Sequence, residues 1–291
     1  MSIKKIEKIV SPRAAHFVGD GFKVHNFIPS APGVSMERMS PFILLDYNAK
    51  YVFPPSDHLK GVGVHPHKGF ETVTIAYKGK VAHHDSSGGG GVIDEGDVQW
   101  MTAASGILHK EYHEESFNKT GGEFQMVQLW VNLPAVNKKS APKYQAISHD
   151  DIRTVLLEKD AGIVEVIAGE YKGQQGTAST FTPINLFNLK LKTSGKADFS
   201  FPATYNTALL VIEGNIMVNG EAVPTDNFVL FGNNGEDFDV EATTDAIVLI
   251  LSGEPIQEPI VAHGPFVMNT KAEIVEAFDE FNKGKFGYLE D

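Results

Sequence analysis

The stretch HPHKGFETV, residues 65–73, decides how this chain is read. Two histidines flank a proline, and a glutamate follows the second His by four positions. Proline biases the residue before it towards extended backbone, and in a strand residues i and i+2 project from one face. His65 and His67 then point the same way, with α-carbons ~6.5–7 Å apart at the usual strand rise. Imidazoles leaning together from that separation can place their nitrogens ~2.0–2.1 Å from one cation. An isolated His-x-His is more often incidental than ligating, so further donors must come from elsewhere.

Seven of the 11 histidines fall between His58 and His113. Within that window Gly106-Ile107-Leu108-His109-Lys110-Glu111 repeats the alternate spacing, so His109 and Glu111 share a face. If this strand lies beside the first inside a barrel, three neutral imidazoles and a carboxylate converge. That set suits a divalent first-row metal with one or two exchangeable positions. Glu71 has the same strand parity as His65 and His67 and competes with Glu111 for the fourth place; parity alone leaves the choice open. His83 and Asp85 share a face at the end of another strand and are candidates for a cavity mouth, although a solvated turn is the plainer reading. The glycines at 88–91 lack the Lys and Ser/Thr of a phosphate-binding loop and read as a flexible connection. Trp100, Met101 and Trp130 read as core packing. His113 lies too far along its strand to join the cluster, and His58 sits in a turn.

Bulk properties exclude several classes. With 25 Lys and Arg against 37 Asp and Glu, the net charge is −12. A field of that sign repels phosphate backbones, so direct nucleic-acid binding is not expected. No apolar run approaches a membrane span, and the first residues lack the apolar core of a secretory signal. The chain has 0 cysteines, so disulfides, thiolate chemistry and sulfur ligands are excluded, which fits a cytoplasmic location. Any metal must be held by imidazole and carboxylate.

Short apolar or alternating runs, punctuated by Gly, Pro, Asn and Asp, predict an all-β chain of sandwich or barrel type. Runs of this kind include 71–77, 98–102, 125–132, 185–191, 208–212, 227–231 and 246–251. Residues 134–143, rich in Lys and Pro, read as a linker between a domain at 1–133 and one at 144–291. The cadence of AYKGKVAHHD, 76–85, returns in VIEGNIMVNG, 211–220, and suggests a duplicated barrel. Thr270 with Glu273 forms a capping box ahead of Ile274, Ala277, Phe278 and Phe281 at helical spacing, which predicts a C-terminal helix. Two fused barrels leave no evident need for a partner subunit, so a monomer is expected.

HPHKGFE also has the spacing HxHxxxE, the first metal motif of the cupin superfamily; the second motif is met only in part, through Gly106-x2-His109. Taken in order, HPHKGFETV, GDVQWMTAASGILHKEY, QLWVNLP and GPFVMNT resemble the pirin family, and the likeness runs from residue 41 to residue 270. The resemblance implies two tandem cupin barrels, a bicupin, with one divalent metal in the N-terminal barrel. Iron is the expected metal, with Mn, Co, Ni, Cu or Zn also compatible with the ligands. It implies His65, His67, His109 and Glu111 as those ligands and reduces Glu71 to a supporting role. It further implies quercetin 2,3-dioxygenase activity on a flavonol with O2, with Glu111 as the general base. An alternative from the same family is a non-enzymatic, metal-dependent regulatory protein that binds transcription factors or other protein partners. The second half has only His149 and His263 and is expected to carry no metal set.

Overall fold

The computed structural model describes residues 2–290 and is built almost wholly from antiparallel strands. The strands form where turn residues bracket apolar runs, as at Val98–Thr102, Ile184–Leu191, Asn206–Glu213 and Ala246–Gly253. They assemble into two compact units. The first gathers residues 14–29, 42–149 and the chain from Ile256 onward; the second gathers the chain up to Arg13, residues 30–41 and residues 150–255.

Each unit is a barrel made from a seven-stranded and a four-stranded sheet. In the first, the larger sheet runs Lys143–Ile147, Val98–Thr102, Phe70–Lys78, Gly122–Asn132, Phe42–Phe53, Phe22–Ile28, His16–Val18. Its smaller sheet runs Gly61–His67, Ile107–His113, Val81–Asp85, Gly90–Ile93. The second unit repeats this order, with Ile6–Val10 at the edge of its large sheet and Lys196–Ser200, Asp237–Ala242, Ile216–Val218, Glu221–Val223 in the small one.

This membership corrects the boundaries at 133 and 144. The strand Lys143–Ile147, expected in the second domain, pairs with Val98–Thr102 of the first barrel. Ile6–Val10, expected in the first domain, pairs with Phe228–Phe231 of the second. The chain after Ile256 also returns to the first unit. The physical reason is edge protection: a terminal strand of a sheet exposes unpaired N–H and C=O groups, and in each large sheet a strand from outside the contiguous domain covers one edge. Residues 134–143 are correspondingly packed rather than free, with Lys138 buried.

The repeat in cadence is a structural repeat. The hairpin turning at Gly79 corresponds to the one turning at Gly214, and both glycines have positive φ, 79° and 76°. Cross-strand register then aligns the interiors. Glu111 faces His83 as Val240 faces Val218, and His109 faces His65 as Phe238 faces Phe199. Thr74 faces Gln99 and Gln128 as Leu209 faces Val229 and Ile250. The polar interior of the first barrel is thus matched, position by position, by apolar side chains in the second. Phe199, Phe231 and Phe238 pack there with ring centroids 4.5 and 5.4 Å apart, and each contributes ~2–3 kcal/mol by burial. Phe201 follows at the position of His67.

The predicted helix spans Lys271–Asn282, with the Thr270 hydroxyl accepting from the Glu273 N–H. Ile274 and Ala277 bury against Phe266, Met268 and Phe286, and this cluster packs on Leu108 of the strand that carries His109. Gly69 has φ 90° and lies so close to the returning chain that a Cβ would sit 2.0 Å from the Val267 carbonyl oxygen. Lys138 ties the same region together: its Nζ donates to Gly69 O at 2.7 Å, Asn132 Oδ1 at 2.6 Å and Val267 O at 2.9 Å. A Lys138→Met variant keeps the apolar stem but strands three buried acceptors, so urea unfolding should show a loss of about 3 kcal/mol. A loss under ~0.5 kcal/mol, typical of a surface substitution, would contradict this account.

Candidate metal centre

The strand Ile107–His113 lies between Gly61–His67 and Val81–Asp85, which brings His65 and Asp85 to either side of His109 and places His83 beside Glu111. A register shift between His109 and Glu111 interrupts the pairing with Gly61–His67. His65, His67 and His109 meet with ring centroids 4.2, 4.6 and 4.9 Å apart. One nitrogen from each lies within 4.8 Å of the others, the spacing of groups that could hold a metal ion.

The hydrogen bonds identify those nitrogens. His65 Nδ1 lies 2.8 Å from the Gly63 carbonyl oxygen. A carbonyl only accepts, so Nδ1 carries a proton and Nε2 is the nitrogen left to face a cation. The Pro265 carbonyl accepts from the His67 ring, while His67 Nδ1 is buried without a partner. His109 Nε2 is likewise buried and unpartnered. Burial, with the neighbouring imidazoles adding to it, holds the pKa of His67 and His109 well below the ordinary value. The rings are therefore neutral. Buried unpartnered lone pairs aimed at one point are costly unless something electropositive sits there. The donor set fits a divalent ion.

Glu111 stands one step away. It groups with His83 and His109 rather than with all three histidines. Gln99 Nε2 donates to Glu111 Oε1 at 2.6 Å, and Thr74 Oγ1 lies 3.1 Å from the same oxygen. Oε2 has only a long contact, 3.4 Å, with Gln128 Nε2. Glu71 does not join either group: fully buried, it accepts from Thr102 Oγ1 at 2.7 Å, with Trp100 as a further donor.

His83 and Asp85 depart from the plainer reading of a solvated turn. Their side chains are 0% exposed. His83 stacks on Tyr144, centroids 5.2 Å apart at 17°, with its Nε2 3.4 Å from Asp85 Oδ2 and its Nδ1 3.4 Å from His109 Nδ1. Asp85 Oδ1 accepts from the Ser87 and Gly89 N–H groups at 2.8 and 3.0 Å. Burial pushes the Asp85 carboxyl up, but the donors from His83, Ser87 and Gly89 outweigh it and hold the pKa below the usual range. The same bonds turn the glycine-rich stretch into a pinned hairpin, with Gly90 and Gly91 already in a strand. The inward aim of His83 was signalled in sequence only by its parity with Asp85.

A cavity of about 220 Å³ opens beside His65, His67 and Glu111. Its walls are mainly apolar, including Phe22, Val24, Met126 and Trp130, with Asp46 and Gln128 as polar groups. Trp130, expected purely as core, is part of this wall, whereas Trp100 is buried as expected. Burial raises the Asp46 carboxyl above its usual range despite a 2.7 Å hydrogen bond from Asn26 Nδ2. Neither Asp46 nor Gln128 stood out in sequence, because each looks like a routine polar position in an alternating strand.

Glu71 yields a test that needs no metal. Burial raises its pKa from 4.5 to about 7. The folded state then binds more protons than the unfolded state between those values, so this group's contribution is fully present below the unfolded pKa and is lost as pH rises through about 7. Glu71→Gln should match the parent near pH 5 and exceed it at pH 8 by on the order of 2–3 kcal/mol in urea unfolding. A difference that does not change with pH would contradict the buried-carboxyl assignment.

The fold and sequence recur among known proteins. The family description Pirin matches residues 21–131, and Pirin C-terminal cupin domain matches residues 186–287. A crystal structure titled quercetin 2,3-dioxygenase from Acinetobacter baumannii superposes with a TM-score of 0.92 at 47% identity, covering 99% of this chain and 100% of that one. A Pseudomonas aeruginosa protein named "Putative quercetin 2,3-dioxygenase PA2418" is 45% identical over 98% of this chain and 99% of its own. Pirin-1 of Arabidopsis thaliana is 36% identical over 93% of this chain and 90% of its own. With both cupin barrels matched and similarity running nearly end to end, this chain belongs to the pirin family.

Proposed function

We propose that this chain is a metal-dependent dioxygenase that opens the ring of a flavonol such as quercetin with O2 and releases carbon monoxide. The carrying observation is the meeting of three imidazole lone pairs, two of them on buried atoms with no other partner, beside a largely apolar cavity. On this reading His65 Nε2, His67 Nδ1 and His109 Nε2 hold one divalent ion, iron in the first instance, with Glu111 as the adjoining carboxylate. The names carried by the Acinetobacter and Pseudomonas relatives support the substrate class.

When bound, such an ion lowers the pKa of a coordinated hydroxyl and stabilises the resulting oxyanion. The protein supplies the rest. Phe22, Val24, Met126 and Trp130 exclude water and take up a planar aromatic body, while Asp46 and Gln128 offer polar contacts to its hydroxyl groups. Glu111 accepts the proton of the flavonol 3-hydroxyl as general base. Gln99 already engages Oε1, so Oε2, with only the long Gln128 contact, is the oxygen placed to take it.

Elemental analysis should find one tightly held metal per chain. Aerobic incubation with quercetin should show loss of flavonol absorbance with release of carbon monoxide. Glu111→Gln should cut that rate by ~10²-fold or more while the three imidazoles retain metal. Unchanged cleavage by the variant would remove Glu111 from its role. A fully loaded parent chain that turns over no flavonol would overturn the oxygenase reading in favour of a metal-dependent regulatory role.

A further inference from the structure

Behind the three histidines lies a polar chain that the proposed reaction does not use. His109 turns Nε2 inward, and its other nitrogen, Nδ1, stands 3.4 Å from His83 Nδ1. His83 Nε2 in turn stands 3.4 Å from Asp85 Oδ2. His83 has a side-chain exposure of 0%, and the Tyr144 ring lies stacked against it, which fixes its plane. The far end is anchored by backbone: Asp85 Oδ1 accepts from the Ser87 and Gly89 N–H groups and from the Ser87 hydroxyl.

We infer that Asp85 and His83 are positioning residues that set the tautomer of His109 and thereby its strength as a metal donor; this rests on the metal site proposed above. One proton arrangement satisfies every member without a second proton on His83. Asp85 offers only acceptors, so His83 Nε2 carries a proton and donates to it. His83 Nδ1 is then a lone pair and accepts from His109 Nδ1–H. His109 Nε2 is left unprotonated, facing His65 and His67. A carboxylate polarising an imidazole through a hydrogen-bonded chain raises the basicity of the ligating nitrogen. The second barrel has Val218 at the register position of His83 and Phe238 at that of His109, so relay and ligand are replaced together.

Asp85→Asn inverts the relay. The two backbone N–H groups pin the amide oxygen at the Oδ1 position, which turns the NH2 group towards His83 Nε2. That nitrogen must then accept, its proton moves to Nδ1, and two N–H groups confront each other between His83 and His109. Relief comes from moving the His109 proton to Nε2, where it blocks the metal. Calorimetric titration of the metal-free protein with Ni2+ should show affinity weakened ~10–100-fold in Asp85→Asn, with circular dichroism and thermal midpoint close to the parent. Nitrogen-15 NMR of the metal-free parent should find His109 protonated at Nδ1 and bare at Nε2, a readout that needs neither the variant nor flavonol turnover. Ni2+ affinity within twofold of the parent, or a parent His109 protonated at Nε2, would overturn the inference and leave the metal site standing. A parent that takes up no Ni2+ would overturn both.

Discussion

Three imidazoles, two of them neutral and buried with unpartnered lone pairs, impose the constraint around which the first barrel is arranged. Burial and the neighbouring rings oppose protonation of His67 and His109. Every surrounding feature keeps the lone pairs aimed at one point. Backbone carbonyls at Gly63 and Pro265 hold the far nitrogens of His65 and His67, and His83 stands behind His109. Gln99 and Thr74 engage Glu111 Oε1, so the carboxylate is fixed beside the triad.

The two barrels show what that constraint costs. The second uses the same strand order and register but fills the corresponding interior with Phe199, Phe238, Val240, Leu209, Val229 and Ile250. Those side chains stabilise by burial alone, whereas Thr74, Gln99, Gln128 and His83 must each find partners in the first barrel. One fold thus supports an apolar plug in one copy and a satisfied polar network in the other. The aromatic wall around Phe22 and Trp130 lets the first barrel combine that network with a cavity.

The chain after Ile256 contributes to the site without offering it a side-chain donor. Pro265 supplies a carbonyl to His67, Val267 receives Lys138, and the helix Lys271–Asn282 packs its apolar face near Leu108. Lys68, beside His67, is paired with Glu280 of that helix at 2.6 Å. The orientation of the HPH strand therefore depends on residues about 200 positions away in sequence, at the cost of closing a long loop, which grows only slowly with length.

Local sequence chemistry determined much of this protein. The i, i+2 parity of His65 with His67 and of His109 with Glu111 follows from strand geometry and survives folding unchanged. The strand at 98–102, the capping box at Thr270 and the paired hairpins at Gly79 and Gly214 were legible for the same reason: their signals lie within a few residues. Tertiary structure alone decided which strands share a sheet, so Lys143–Ile147 and Ile6–Val10 exchange their expected barrels to cover open edges. It also separated Glu71 from Glu111, equals by parity: on the strand Phe70–Lys78 Thr74 reaches Glu111, whereas Glu71, three positions earlier, projects from the opposite face and pairs with Thr102. His83, Asp46 and Gln128 join the site only through cross-strand neighbours. Which face of a strand a residue occupies is a local property, but what that face meets is set by strands distant in the chain.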